Sequence, residues 1–239
     1  MTGDKNESET RSVAAGAPLA TVPVFFKLSG RRCVVAGGGD GAAWKTELLA
    51  SAGASVDVYA AEPCERLERL AAGLAGVQLH RRAWTATDLA GALIAVAETE
   101  SDDAAQAFRA AARAAGAVAN VIDRPAFCDF QFGSMVNRSP LVVGISTDGA
   151  APVFGQALRA RIETLAPEGF AAWAGAAREW RAEIAALDLP FRARRRFWEE
   201  FAELAFARPG VAPTIADLQA LLAVVSDEAV AAARRACGT

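Results

Sequence analysis

Between Arg32 and Asp123, short apolar runs alternate with helix-patterned segments, and this alternation limits the fold more than any other feature of the sequence. Arg32–Ala36 (RCVVA), Ser55–Tyr59 (SVDVY), Val77–Arg81, Ala92–Ala97 (ALIAVA) and Val118–Ile122 (VANVI) read as five strands. Runs this short and this apolar suit strands covered on both faces. Trp44–Ala52, Pro63–Ala75 and Asp103–Ala115 read as intervening helices, the first and last closed by Gly53 and Gly116. Strand and helix in alternation imply a parallel sheet with helices on both faces.

The alternation stops after Asp123. Phe130–Val136 and Leu141–Ser146 pattern as two strands around the turn-type sequence Asn137-Arg138-Ser139-Pro140. From Pro152, which suits a first helical position, the chain is almost wholly helical. Further helices are expected over Glu168–Leu187, Pro190–Phe206 and Thr214–Ala236. The expected fold class is α/β: a Rossmann-type parallel-sheet domain, then a small strand-pair region, then a C-terminal helical domain. The boundaries read as a disordered polar tail over 1–20, a dinucleotide-binding domain over 21–129, the strand-pair region over 130–166 and the helical domain over 167–239.

With 53% hydrophobic residues the chain can bury a real core, and its net charge of −3 supplies no global attraction to nucleic acid or to an acidic membrane. Neither is expected as a partner. The first twenty residues lack the basic start and apolar run of a secretory signal, and no apolar stretch is long and clean enough to span a bilayer. Cys33, Cys64, Cys128 and Cys237 are scattered without a Cys-x-x-Cys pair, so they read as reduced thiols in a cytoplasmic protein. His80 is the only histidine, which excludes a metal site built on several imidazoles.

Gly37-Gly38-Gly39-Asp40-Gly41-Ala42 fits the G-x-G-x-x-G/A fingerprint, between the first strand and the first helix. Such glycines permit a tight turn, close backbone approach to a pyrophosphate and a helix N-terminus aimed at its charge. The plainer alternative is a glycine turn that packs strand on helix. An acid that holds ribose would close the second strand about twenty residues on. Glu62, in Tyr59-Ala60-Ala61-Glu62, comes slightly late. No arginine stands at that strand end to meet a 2′-phosphate, which favours NAD over NADP.

Ligands of such sheets bind at the carboxyl ends of the strands, where Asp123 closes the fifth. A carboxylate there can take a proton as a hydride leaves for the cofactor. It can equally cap a turn before Pro125, and position alone does not separate the two.

The order of motifs is more specific. Pro23-Val24-Phe25, the glycine cluster, Lys45, Asn120-Val121-Ile122-Asp123, Cys128-Asp129-Phe130, Arg138-Ser139-Pro140-Leu141 and Ile145-Ser146-Thr147-Asp148-Gly149 followed by Pro152 resemble the siroheme synthase family. More narrowly they resemble its precorrin-2 dehydrogenase/sirohydrochlorin ferrochelatase domain. The resemblance covers about Pro23 to Phe206 and not the methyltransferase domain fused to some members. Its most specific block runs from Asn120 to Pro152.

The resemblance implies oxidation of precorrin-2 to sirohydrochlorin with NAD, then insertion of Fe²⁺, a substrate here, to give siroheme. It implies that Asp123 is the general base in both steps and a transient metal contact. It places cofactor contacts at Asp40, Gly41, Ala61 and Glu62, beside the fingerprint residues Gly37, Gly38 and Gly39. Substrate contacts fall on Arg138, Ser146 and Thr147, the last matching a phosphorylated position in one branch. It also implies a homodimer through the strand-pair region, a pair of strands too small to be stable alone. Trp44 stands at the family's arginine position, Gly133 where proline is common and Ala151 where serine is common. Burial against the sheet is the plain expectation for Trp44.

A polycarboxylate substrate needs arginines gathered locally in an acidic chain. Arg138 is the first candidate, with Arg124, Arg159 and Arg161 behind it. The run Arg192, Arg194, Arg195, Arg196 is read as helix surface, with Arg195–Glu199 and Arg196–Glu200 at ion-pair spacing. Two other readings remain open: a chelatase without dehydrogenase activity, and a non-catalytic dinucleotide-sensing module.

Overall fold

Strand β1 (Arg32–Ala36) is buried at every position after the first, as its unbroken apolar run requires. In this computed structural model, which describes residues 18–187 and 189–236 with side chains of the last helix to residue 225, it is the centre of a five-stranded sheet. The other strands are β2 (Ser55–Tyr59), β3 (Val77–His80), β4 (Ile94–Ala97) and β5 (Val118–Val121). All pairings are parallel, in the order β3-β2-β1-β4-β5. The expected tail over 1–20 falls mostly on residues 1–17, and Cys237 at the other end likewise lies outside the described residues.

Residues of β1 alternate between two cores. Cys33 and Val35 join Val56, Val58, Ile94 and Val96 beneath α1 (Asp40–Ser51) and α2 (Glu65–Gly73). Val34 and Ala36 join Ala95, Ala97, Ala119 and Val121 beneath α3 (Asp102–Ala114). On that second face the strands offer mostly alanine, and the fully buried Phe108 of α3 fills the space they leave. Ser101 caps α3, its Oγ accepting the N–H of Ala104, with Asp102 and Asp103 in the first turn where the helix dipole favours acids.

Helix α1 begins four residues earlier than its apolar pattern suggests. Ala43 N–H already bonds the Gly39 carbonyl, so Asp40 and Gly41 lie inside the first turn and only Gly37–Gly39 form the loop.

Packing divides the chain after Phe132 into two units, each described by itself. In the second, β6 (Ser134–Arg138) and β7 (Leu141–Ile145) pair antiparallel. Asn137 and Arg138 pair with Val142 and Leu141, so the expected four-residue turn shrinks to Ser139-Pro140, joined by a cis peptide. Helix α4 (Pro152–Leu165) carries proline at its start. Helices α5 (Phe170–Ala186), α6 (Phe191–Ala207) and α7 (Ile215–Ala236) share a core of Trp173, Trp180, Phe197, Phe201, Leu218 and Val225. Trp173, Trp180, Phe197 and Phe201 are therefore helix–helix core, with Trp198 packed against it, while Phe191 and Phe206 are exposed. The pairs Arg195–Glu199 and Arg196–Glu200 form along α6 at 2.8 and 2.5 Å.

Candidate functional site

In a parallel sheet, residues that follow paired strand ends emerge side by side. Ala36 pairs with Ala97, so Gly37 and Glu98 leave the sheet together, at the point where one chain turns to α1 on one face and the other to α3 on the opposite face. This reversal opens the crevice in which such sheets hold ligands.

The loop needs its glycines. Gly37 has φ +149°, a conformation that side chains rarely adopt. A Cβ on Gly38 would lie 2.2 Å from the backbone oxygen of Glu62, and Cys64 N–H bonds the Gly38 carbonyl at 2.7 Å. The loop is thus packed flat on the chain leaving β2, which carries the exposed Ala61 and Glu62. Gly39 N–H donates at 2.7 Å to a carboxylate oxygen of Glu98. That oxygen occupies the position an anionic phosphate oxygen would take, so the N–H at the start of α1 is placed to donate to an anion. The loop shape and this donor fit a dinucleotide pyrophosphate.

At the far side of the crevice, Asp123 follows β5 with φ +58°, and it is exposed. Its carboxylate makes no hydrogen bond or ion pair among the described residues. The turn itself is closed by Arg124 N–H to the Val121 carbonyl, not by the aspartate side chain. The Asp123 side chain thus does not close the turn by a hydrogen bond, and its left-handed backbone leaves the carboxylate exposed at the strand end.

Three neighbouring motif residues hold that turn. Asn120 Nδ2 donates to the Phe130 carbonyl at 2.9 Å. Cys128 Sγ lies 3.2 Å from both the N–H and the carbonyl of Val121. Asp129 accepts Ala119 N–H at 3.1 Å and ion-pairs with Arg109 and Arg113. Burial acts to raise the Asp129 pKa, and is outweighed by Arg113, the Ala119 N–H and Arg109, which hold the carboxyl below its usual range. Burial pushes the Cys128 thiol up, which suits a packing role rather than a nucleophile. Cys128 and Asp129, with Arg109 and Arg113, also line a cleft of about 650 Å³ at the amino end of β5, away from the glycine loop.

Lys45 of α1 is only 9% exposed. Its ammonium lies 4.0 Å from the centre of the Trp44 ring and 3.9 Å from that of Phe132. Burial lowers its pKa to about 8 against the opposing attraction of Asp123. Trp44 is 44% exposed, which corrects the expectation that it buries against the sheet. Its ring instead roofs an ammonium, a contact an indole makes well.

Arg124 is committed within the first unit. It donates to the carbonyls of Thr99 and Glu100 and pairs with Asp102, fastening the loop that carries Glu98. His80 stacks on Tyr59 at 4.5 Å and meets Asp57 at 3.2 Å, a structural role.

Arg138, Ser146 and Thr147 belong to the second unit. Arg138 Nε bonds the Ala166 carbonyl after α4 and Nη1 the Asn137 carbonyl, while Nη2 bonds nothing among the described residues. Ser146 Oγ accepts Asp148 N–H, and Asp148 and Gly149 turn the chain with positive φ into α4. Thr147 is half-buried, its Cγ2 packed toward Gly155. Arg159 pairs with Glu163 along α4.

Two site residues escape the sequence reading. Lys45 is visible there only as a motif letter. Glu98 is invisible until the sheet order is known, because only the β1–β4 pairing brings it to the glycines. Among the described residues, no group of three His, Cys, Asp or Glu side chains is placed to hold a metal, and no helix is long and apolar enough to cross a membrane.

Residues 24–134 match the profile of a family described as putative NAD(P)-binding. The siroheme synthase of Stutzerimonas stutzeri is 37% identical over 202 residues, which are 84% of this chain and 43% of that protein. That of Methylococcus capsulatus is 36% identical over 219 residues, 91% of this chain and 46% of that protein. The chain spans less than half the length of these curated relatives. A solved structure titled SirC, precorrin-2 dehydrogenase, superposes with a TM-score of 0.64 at 18% identity, covering 87% of this chain and 100% of that one. The fold is shared.

Proposed function

Because the chain belongs to the siroheme synthase family, we propose that it oxidises precorrin-2 to sirohydrochlorin with NAD⁺ and then inserts Fe²⁺ to give siroheme. The observation that carries the reading is the free carboxylate of Asp123, exposed at the end of β5 in the sheet whose β1 bears the glycine loop.

A nicotinamide dinucleotide held at this loop would supply the hydride acceptor. Gly37, Gly38 and Gly39 admit the pyrophosphate, with Gly39 N–H as donor and Asp40 and Gly41 beside it in the first turn of α1. Ala61 and Glu62, exposed where the chain leaves β2, would hold the ribose. Arg66, Arg69, Arg81 and Arg82 are already paired with Glu47, Glu65, Glu68 and Asp88, which supports NAD⁺ over NADP⁺ because a 2′-phosphate would find no uncommitted arginine among them.

Oxidation removes a hydride and a proton, and Asp123 accepts the proton. In metal insertion two pyrrole protons leave as Fe²⁺ enters; the same carboxylate accepts them one at a time, passing each to water before the next, and in its ionised form briefly contacts the ion. Lys45 keeps positive charge beside that carboxylate at neutral pH. In the second unit, Arg138 offers Nη2 to a substrate carboxylate, with Ser146 and Thr147 in the adjoining turn. The exposed apolar side chains Leu141, Val142, Val153, Phe154 and Leu165 of the same unit support a homodimer that would cover them.

The test is anaerobic incubation with precorrin-2 and NAD⁺, then Fe²⁺, with absorption spectra at each stage. Asp123→Asn should lower both steps by about 10²-fold or more, the range of a lost general base. Full turnover of either step by that variant would remove Asp123 from that step. The chelatase-only reading draws on one observation, the Glu98 carboxylate in the glycine loop, and iron insertion without NADH formation would select it.

A further inference from the structure

The glycine loop does not merely lie near Glu98; it is moulded around that carboxylate. A Cβ on Gly37 would stand 2.6 Å from Glu98 Cβ. One on Gly39 would stand 2.7 Å from each carboxylate oxygen, and one on Gly41 would stand 2.9 Å from Oε1. Gly39 N–H bonds Oε2 at 2.7 Å. The N-cap of α1 has no side chain of its own, so this glutamate supplies the anion at the start of the helix. Its loop is fixed from behind by Arg124, through Thr99, Glu100 and Asp102.

A dinucleotide pyrophosphate needs the same donor and the same space, and it too is an anion. Two like charges cannot share one N–H at this range without a large repulsion. We propose that Glu98 is an affinity-setting residue of the cofactor site: its carboxylate occupies the pyrophosphate cradle and gives up Gly39 N–H each time a dinucleotide binds. The inference rests on the reading of this loop as the dinucleotide site and adds the residue that competes there. Its reach is the pyrophosphate alone, so ligands without one escape the competition.

The experiment is calorimetric titration of the full chain and of Glu98→Ala and Glu98→Gln with NAD⁺, ADP-ribose and adenosine, with circular dichroism to show that each variant is folded. The shape-conserving Glu98→Gln removes the charge even if the alanine variant is unstable. NAD⁺ and ADP-ribose should bind Glu98→Ala on the order of tenfold tighter than the parent, with Glu98→Gln between them, as expected when one close like charge is removed. Adenosine should bind all three equally. Unchanged or weaker binding of NAD⁺ and ADP-ribose by both variants would overturn the proposal and leave the cofactor reading intact. Failure of the parent and both variants to bind NAD⁺ would overturn the cofactor reading itself, and the proposal with it.

Discussion

Lys45 and Phe132 form a cation–π contact of 3.9 Å that joins the first helix of the sheet domain to the last residue of that unit. With Trp44 on its other side, the ammonium is held by ring faces where water would otherwise solvate it. This makes the positive charge beside Asp123 available and makes it costly.

That cost is measurable. The folded pKa of Lys45, about 8, lies below the ordinary 10.5. Between these values the unfolded chain binds more protons than the folded one, so stability rises with pH across the window. Lys45→Met should therefore stabilise the fold by about 1–2 kcal/mol at pH 7, the gain from removing a buried charge less the lost ring contacts. In urea unfolding the difference from the parent should shrink from pH 8 towards 10. A variant less stable than the parent at pH 7 would show that the ring contacts outweigh desolvation.

Gly38→Ala should abolish dinucleotide binding. Its Cβ would meet the Glu62 backbone oxygen at 2.2 Å, and backbone cannot swing aside as a long side chain can. Because the clash is local, the thermal transition should fall by only a few degrees, corresponding to about 1–2 kcal/mol. Titration with NAD⁺ beside a melting curve reads both outcomes together.

Asp129→Asn should destabilise by about 1–3 kcal/mol, the usual cost of leaving a buried partner such as the Ala119 N–H poorly matched. The Asp129 carboxyl is held below its ordinary 3.8, so its contribution is complete above that pH and is lost as pH falls through the folded value. Acid unfolding of the parent should show this loss below about pH 4, and the variant should not.

Phe154→Glu should convert a homodimer to a monomer. The ring is 64% exposed on α4, beside Val153 at 77%, an arrangement that favours an apolar partner surface. Sedimentation at micromolar concentration distinguishes the two states, and a monomeric parent would refute the dimer.

The sheet domain is legible from sequence because each strand is a short apolar run with its own stop signal. Both faces of β1 are buried, so period and composition agree. Boundaries slip where backbone geometry overrides pattern. Asp40 and Gly41 are poor helix formers, yet α1 begins on them because Gly39 supplies the first carbonyl. Arg138 looks like a turn residue and is a strand residue, because Leu141 pairs with it across a two-residue turn. In the site, Asp123 and the glycines can be found by position in the chain. Glu98 cannot, since its role arises from strand order, and Trp44 fails as a core residue because the ammonium of its neighbour offers its ring a better contact than the sheet does.

The contacts of Asn120, Cys128 and Asp129 have one more consequence. β5 is the last strand of its sheet, and the outward backbone groups of such a strand invite pairing with another chain. Here those groups are already spent: Ala119 on both the amide and the carboxylate of Asp129, Val121 on the sulfur of Cys128. The residues that most strongly mark the sequence thus also seal a sticky border. They steer self-association away from open-ended strand stacking, whatever else the protein assembles with.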